Sequence, residues 1–148
     1  MPQSLSKVYI HIIFSTKNRT PWISEDIRPN IQGYIVETAS KLGVYTEEIY
    51  INPDHLHILC TLPRTLTIAD LIQKIKISSS NKISEIGPKE FYWQKGYGVF
   101  SVSQSKTGIV KEYIQNQKEH HKKITFEEEY RKFLQEYKIE YDEKYVWD

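Results

Sequence analysis

The chain has 148 residues, 39% hydrophobic and 26% charged, the profile of one compact domain rather than of a disordered or fibrous chain. No stretch approaches the roughly 20 apolar residues of a membrane span. The opening MPQSLSKVYIHIIF has its apolar run broken by Lys7 and His11, so neither an anchor nor a signal peptide is expected and the chain reads as cytoplasmic. A lone cysteine, Cys60, forms no internal disulfide and no thiolate zinc cage by itself; it is expected as a small buried apolar residue. The net charge of +1 is a cancellation. Residues 1–123 carry 16 Lys/Arg against 11 Asp/Glu, whereas residues 124–148 carry 4 against 8. A basic body with an acidic tail is compatible with a phosphate-bearing partner, because local field rather than net charge steers a polyanion. An ordinary solvated surface fits equally well.

In chain order, Val8–Thr16 is rich in β-branched and aromatic residues and stops at the turn KNRTP, which predicts a buried strand. Over Glu25–Leu42 the apolar residues Ile27, Ile31, Tyr34, Ile35 and Leu42 recur at helical spacing, with Ser24 placed as N-cap and Gly43 as the stop. Val44–Ile51 and His55–Leu62 are strand-like runs separated by Asn52, Pro53 and Asp54, the chemistry of a hairpin turn. Thr67–Ile86 reads as a helix on Leu71, Ile72, Ile75 and Ile83, ended by Gly87 and Pro88. After the aromatic loop FYWQKGYG, Val99–Ser103 is a fourth strand. The order βαββαβ is that of the ferredoxin-like split βαβ, an α+β fold in which one antiparallel sheet carries two helices on one face. A further helix over about 107–122 and an apolar-striped charged segment from Thr125, with Phe126, Tyr130, Phe133 and Leu134, lie beyond that fold. A single domain over 1–148 is expected, with its core over about 7–104 and a tail over 124–148.

Two patterns carry chemistry. On the third strand, His55 and His57 are two residues apart, so the period-2 alternation points both imidazoles to one face, where together they can chelate a cation. A pair of satisfied polar side chains on a half-exposed sheet is the competing reading. On the extra helix, Tyr113, Gln117 and His121 are spaced i, i+4 and i+8 and share a face. Most tyrosines pack rather than react. The glutamine is the pointer, because a neutral amide oxygen completes a His, His, Gln triad around a divalent cation while leaving positions open for phosphate oxygens.

These residues, with the blocks around them, resemble the single-tyrosine HUH transposases of the TnpA type, encoded by the smallest bacterial insertion sequences. The resemblance runs through YIHIIFSTKNR, the His, hydrophobic, His element of NPDHLHIL, the loop WQKGYGVFSVS, the helix VKEYIQNQKEHH and the tail FEEEYRKFLQEYKIEYDEKYVW. It implies that His55, His57 and Gln117 are metal ligands, with Mg2+ or Mn2+ as the cofactor, and that Tyr113 is the nucleophile. The implied reaction is cleavage and rejoining of single-stranded DNA at insertion-sequence ends through a 5′-phosphotyrosine. A phenol with a reference pKa near 10 is mostly protonated at neutral pH and needs help to react. Hairpin-ended single strands are the implied partner, in a bacterial or archaeal cell and on its nucleoid. A homodimer with joined sheets is implied too, its active sites assembled in cis or in trans.

Lys106, Lys111 and Lys118, with Lys122 and Lys123, lie on or beside the tyrosine helix and are candidate backbone contacts, or plain solvent-facing charges. Trp93, Lys95 and Tyr97 of the loop are candidates for contact with unpaired bases, the two aromatics by stacking; core packing is the alternative for the rings. His120 and His121 are set outside the ligand set, since a cation at a helix C-terminus accounts for them. Two other functions stay open: a nucleic-acid-binding module that does not cleave, and a domesticated nuclease that processes hairpins.

Overall fold

β-Branched and aromatic residues dominate Tyr9–Ser15 (β1), Thr46–Ile51 (β2) and Gly98–Val102 (β4), which favours a pleated, half-buried surface, while His55–Thr61 (β3) alternates imidazoles and apolar residues. In the computed structural model, which describes residues 2–148, they form one antiparallel sheet of order β2-β3-β1-β4. Helices Arg28–Lys41 (α1) and Ile68–Ile86 (α2) complete a βαββαβ sequence of elements, and Thr107–Gln115 (α3), Gln117–His120 (α4) and Phe126–Glu136 (α5) follow.

Because side chains alternate along a strand, β1 and β3 each present two different faces. Ile10, Ile12, Phe14, Leu56, Ile58 and Cys60 point to α1 and α2 and build the main core with Ile31, Ile35, Leu71, Ile72 and Ile83. Tyr9, Ile13 and Leu59 point the other way, where Ile114 of α3 and Phe126, Tyr130 and Leu134 of α5 cover them. Cys60 lies in the main core, and burial pushes its thiol up to about 12.

Helix boundaries follow local chemistry. Residue Gly43, at φ +81°, ends α1 in the left-handed conformation that glycine adopts without strain. At its other end α1 starts at Arg28 rather than near Ser24: Pro29 occupies the first turn, where its missing N–H costs nothing, and the Ser24 hydroxyl bonds the Asp26 carboxylate instead of capping. Thr67 caps α2 by accepting from Asp70 N at 3.0 Å. Thr125 and Glu128 form a reciprocal capping box that starts α5. The helix expected over 107–122 is broken at Asn116 (φ −94°, ψ 14°) into α3 and α4; asparagine competes with helical bonding through its own side chain.

Helix α5 docks closely. A Cβ at Gly98 would lie 2.7 Å from the Tyr130 ring, so only glycine permits that approach. The tail then returns across the molecule. Arg19 Nη1 donates to Trp147 O at 2.7 Å and Gly96 N to Asp148 O at 2.8 Å, while the Trp147 ring packs near Phe126 and Tyr130.

Candidate metal and tyrosine site

On the face of the sheet turned from α1 and α2, His55 and His57 project from β3 and His11 from β1, all at most 2% exposed. They meet α3, α4 and α5. Side chains of His55, His57, His121 and Glu129 each offer a ligand atom, and these four atoms all lie within 4.8 Å of one another. Imidazole nitrogens and a carboxylate oxygen are the donors that divalent ions take, so the residues present fit a metal.

Glu129 organises the cluster. Its Oε1 lies 2.9 Å from His57 Nε2, 3.1 Å from His121 Nε2 and 3.4 Å from His55 Nε2. Its Oε2 accepts from the Tyr113 hydroxyl and, at 3.3 Å, from Gln117 Nε2. His120 Nε2 stands 3.1 Å from the same hydroxyl. The carboxylate is 1% exposed. Burial alone raises a carboxyl pKa, but the facing His57, His121 and His55 overcome it and hold Glu129 ionised, well below the usual range.

Further groups orient the imidazoles. His55 Nδ1 lies 2.7 Å from Asp54 Oδ1, His57 Nδ1 2.8 Å from His11 Nε2, and His121 Nδ1 3.0 Å from the Ile124 carbonyl. Asn52 Nδ2 reaches both His55 Nε2 (3.0 Å) and Gln117 Oε1 (3.2 Å). Burial opposes charge on His55, yet its bonds to Asp54 and Glu129 outweigh burial and raise its pKa. For His57 burial wins and the pKa falls, as it does for His11 through burial and the neighbouring His57. The Tyr113 pKa is raised by burial, by the Glu129 charge and by the bond to it. Free phenolate is therefore scarce at neutral pH.

Tyr113, Gln117, His55 and His57 thus come together within one chain. The sequence reading passed over His11, Glu129, Asn52 and Asp54, and set His121 aside. The signal for Glu129 is its place in the stripe Phe126, Glu129, Tyr130, Phe133, Leu134: a charge at an inward position of an amphipathic helix needs a buried partner.

The candidate DNA contacts divide. Trp93 is 8% exposed, packs edge-on against Phe14 and Phe91, and donates Nε1 to Ser79 Oγ at 3.0 Å. Its ring belongs to the core and offers no free face to a base. Lys76 holds the loop closed by donating Nζ to the carbonyls of Gln94 (2.8 Å), Lys95 (3.1 Å) and Gly96 (2.7 Å), and burial lowers its pKa to about 8. Tyr97 is 39% exposed, and Lys95, Lys106 and Lys118 are exposed on the loop, before α3 and on α4. Lys111 reaches Glu47 at 3.9 Å.

A family described as IS200-like transposases matches residues 4–117. The ISDra2 transposase TnpA of Deinococcus radiodurans is 22% identical over 114 residues, 72% of this chain and 81% of that protein. A Deinococcus radiodurans R1 protein described as a candidate transposase has a crystal structure with a TM-score of 0.64 at 21% identity, over 79% of this chain and 98% of that one. A REP-associated tyrosine transposase, solved with a REP hairpin, gives 0.59 at 15% identity over 82% and 73%. At these identities the two structural likenesses speak for the fold.

Proposed function

The chain belongs to the IS200-like transposase family, and from that premise we propose that it cleaves and rejoins single-stranded DNA at insertion-sequence ends, with Tyr113 as nucleophile. The observation that carries this reading is the Tyr113 hydroxyl, held by Glu129 beside His57 on the chain's own sheet. The frame is ferredoxin-like, a reading supported by the strand order β2-β3-β1-β4 with βαββαβ connections.

The step balances with the groups in place. The Tyr113 O–H bond breaks and its proton passes to His120 Nε2, 3.1 Å from the hydroxyl, an imidazole that burial keeps neutral, while the ionised Glu129 carboxylate holds the hydroxyl in place. A Tyr113 O–P bond forms as the P–O3′ bond breaks, leaving a 5′-phosphotyrosine and a 3′ oxygen that takes up one proton, matching the one Tyr113 released, to become a free hydroxyl. Attack by another 3′-hydroxyl reverses the step and joins strands without hydrolysis. Proton transfer concerted with attack matters because the phenol is so weakly acidic here. Bound at His55 and His57 with Gln117 nearby, a divalent cation would supply Lewis-acid stabilisation of charge on the phosphate.

Lys106, Lys111 and Lys118 flank the tyrosine on α3, α4 and the turn before them, and we assign them to the DNA backbone, with Lys95 and Tyr97 on the loop. The ligand is a single strand with hairpin ends, by analogy with the relative solved on a hairpin. Tyr113 meets His57 of its own chain, and we take the site as assembled in cis; a homodimer joined through a sheet edge, β2 or β4, completes the reading. No helix among the described residues is long and apolar enough to cross a membrane, which suits work on cytoplasmic DNA.

The test uses end-labelled single-stranded DNA spanning the ends of the encoding element, with Mg2+, Mn2+ or chelator. A metal-dependent, denaturation-resistant protein–DNA band is expected for the wild type. Tyr113→Phe should lower it by about 10³-fold or more while still binding DNA. Adduct of wild-type yield in Tyr113→Phe would overturn the nucleophile assignment. Hairpin binding with no adduct under any metal would leave a non-cleaving binding module.

A further inference from the structure

The protons of the histidine cluster are unevenly placed. A backbone carbonyl only accepts, so the 3.0 Å contact to Ile124 O puts the hydrogen of His121 on Nδ1. The contact to the Asp54 carboxylate does the same for His55. In their neutral forms both imidazoles then turn a bare Nε2 lone pair inward. Those two nitrogens lie 3.1 Å apart, and both face Glu129 Oε1. With both imidazoles neutral, three acceptors converge with no hydrogen of their own between them, so the contacts hold once a proton or a metal ion sits among them. Asn52 Nδ2 supplies one hydrogen, to His55 alone among the three. A buried arrangement of this kind is stable only around a cation.

The spacing suits a metal. For ligand bonds of about 2.0–2.2 Å, neighbouring ligand atoms stand roughly 3.0–3.5 Å apart in octahedral or tetrahedral coordination. The contacts among His55, His121 and Glu129 run from 3.1 to 3.4 Å; His57 stands 2.9 Å from Glu129, with all four ligand atoms within 4.8 Å of one another. Gln117, the third ligand that the sequence resemblance implies, is turned otherwise. Its amide nitrogen donates to Glu129 and its oxygen accepts from Asn52. His121 and Glu129 also lie past residue 117, where the family match ends.

We infer that His121 and Glu129 complete the metal site with His55 and His57, and that this four-ligand, imidazole-rich set selects a first-row transition ion over magnesium. Magnesium takes oxygen ligands and keeps its waters, and manganese shares much of that preference, whereas imidazole suits the later first-row ions such as iron, nickel and zinc, with cobalt between manganese and nickel in affinity. Glu129 is then shared, Oε1 toward the ion and Oε2 toward the Tyr113 proton. Gln117 orients Glu129 instead of binding the ion. The inference deepens the proposed function by naming the cofactor class of that same site, and it rests on that reading only for what the ion does there, since binding is measured without DNA.

Purified, chelator-stripped full-length protein is titrated with Co2+, Mn2+ and Mg2+ by calorimetry, and Co2+ binding is followed by its visible absorption. The wild type should bind one Co2+ at least on the order of 10²-fold more tightly than Mg2+, with Mn2+ falling between them. Glu129→Gln and His121→Ala should each weaken Co2+ binding by more than about 100-fold, beyond the range for a residue that merely orients a ligand, and shift its absorption; Gln117→Ala should cost less than either. Equal affinity for Mg2+ overturns the ion preference. Wild-type Co2+ binding in both Glu129→Gln and His121→Ala, with loss in Gln117→Ala, overturns the ligand set. No bound ion at all means that a proton serves as the buried cation and overturns both. The wild-type comparison needs no variant to fold, and His121, just past the end of the four-residue α4, is the milder substitution. A missing DNA adduct beside intact Co2+ binding would count against the transposase reading alone.

Discussion

The two faces of the one sheet are built from the same strands and solve opposite problems. Toward α1 and α2, β1 and β3 present Ile10, Ile12, Phe14, Leu56, Ile58 and Cys60, an apolar surface that excludes water and stabilises the fold with little demand on geometry. Toward α3 and α5 they present His11, His55 and His57, each buried and each with a polar partner. A buried imidazole without its partner costs free energy, so this face requires α5 and its Glu129 to be in place. One face supplies stability. The other uses some of it to hold reactive groups together.

Adjacent residues of β3 break that comparison most directly. Leu56 is fully buried in the main core and His57, also fully buried, faces the site. Leu56→Ala should destabilise by about 2–5 kcal/mol, measured by urea unfolding, while the fraction still folded binds metal normally. His57→Ala should instead abolish metal-supported cleavage and leave a chain that folds. If Leu56→Ala proved specifically defective in metal binding, the two faces would not be separable.

Metal removal gives the next largest effect. An ion present at 100 times its dissociation constant adds about 2.7 kcal/mol to the folded state if the unfolded chain does not bind it. Melting temperature should therefore fall on adding chelator to the wild type, stay unchanged in His57→Ala, and fall by the same amount in Trp93→Phe. The last change removes a bond to Ser79 on the opposite face. A chelator effect persisting in His57→Ala would place the ion elsewhere.

The two faces also differed in how far the sequence disclosed them. The apolar face was open to periodicity: Ile31 and Ile35, or Leu71, Ile72, Ile75 and Ile83, repeat as a helix repeats, and all are buried. The His55 and His57 pair followed from strand alternation, and both point to the site. What escaped depends on tertiary contacts between distant segments. His11 meets His57 across 46 residues and Glu129 meets it across 72, and no local pattern specifies such pairings. The break at Asn116 escaped because Tyr113, Gln117 and His121 keep helical spacing through it. Trp93 sits in a glycine-containing loop that reads as exposed, yet Lys76 ties that loop to the core. Glu129 was the readable omission, a lone carboxylate within an apolar stripe.

The smallest effect sharpens the comparison further, because each face has one helix capped by a threonine. Thr67 starts α2 and accepts from Asp70 N at 3.0 Å; Thr125 starts α5 and accepts from Glu128 N at 3.2 Å. Losing either cap should cost about 1 kcal/mol, or roughly 3–5 °C in melting temperature for a domain of this size. The two should part company in function. Helix α2 touches the site only through the core, whereas α5 carries Glu129 and has its Thr125 cap four residues before it, immediately after the His121–Ile124 bond. Thr125→Ala should therefore weaken Co2+ binding and slow adduct formation measurably, by up to about fivefold if the whole 1 kcal/mol is felt at the site. Thr67→Ala should leave both unchanged at equal loss of stability. Equal losses of metal affinity in the two variants would mean that the site responds to global stability alone, and that α5 is no more part of the site than the core beneath it.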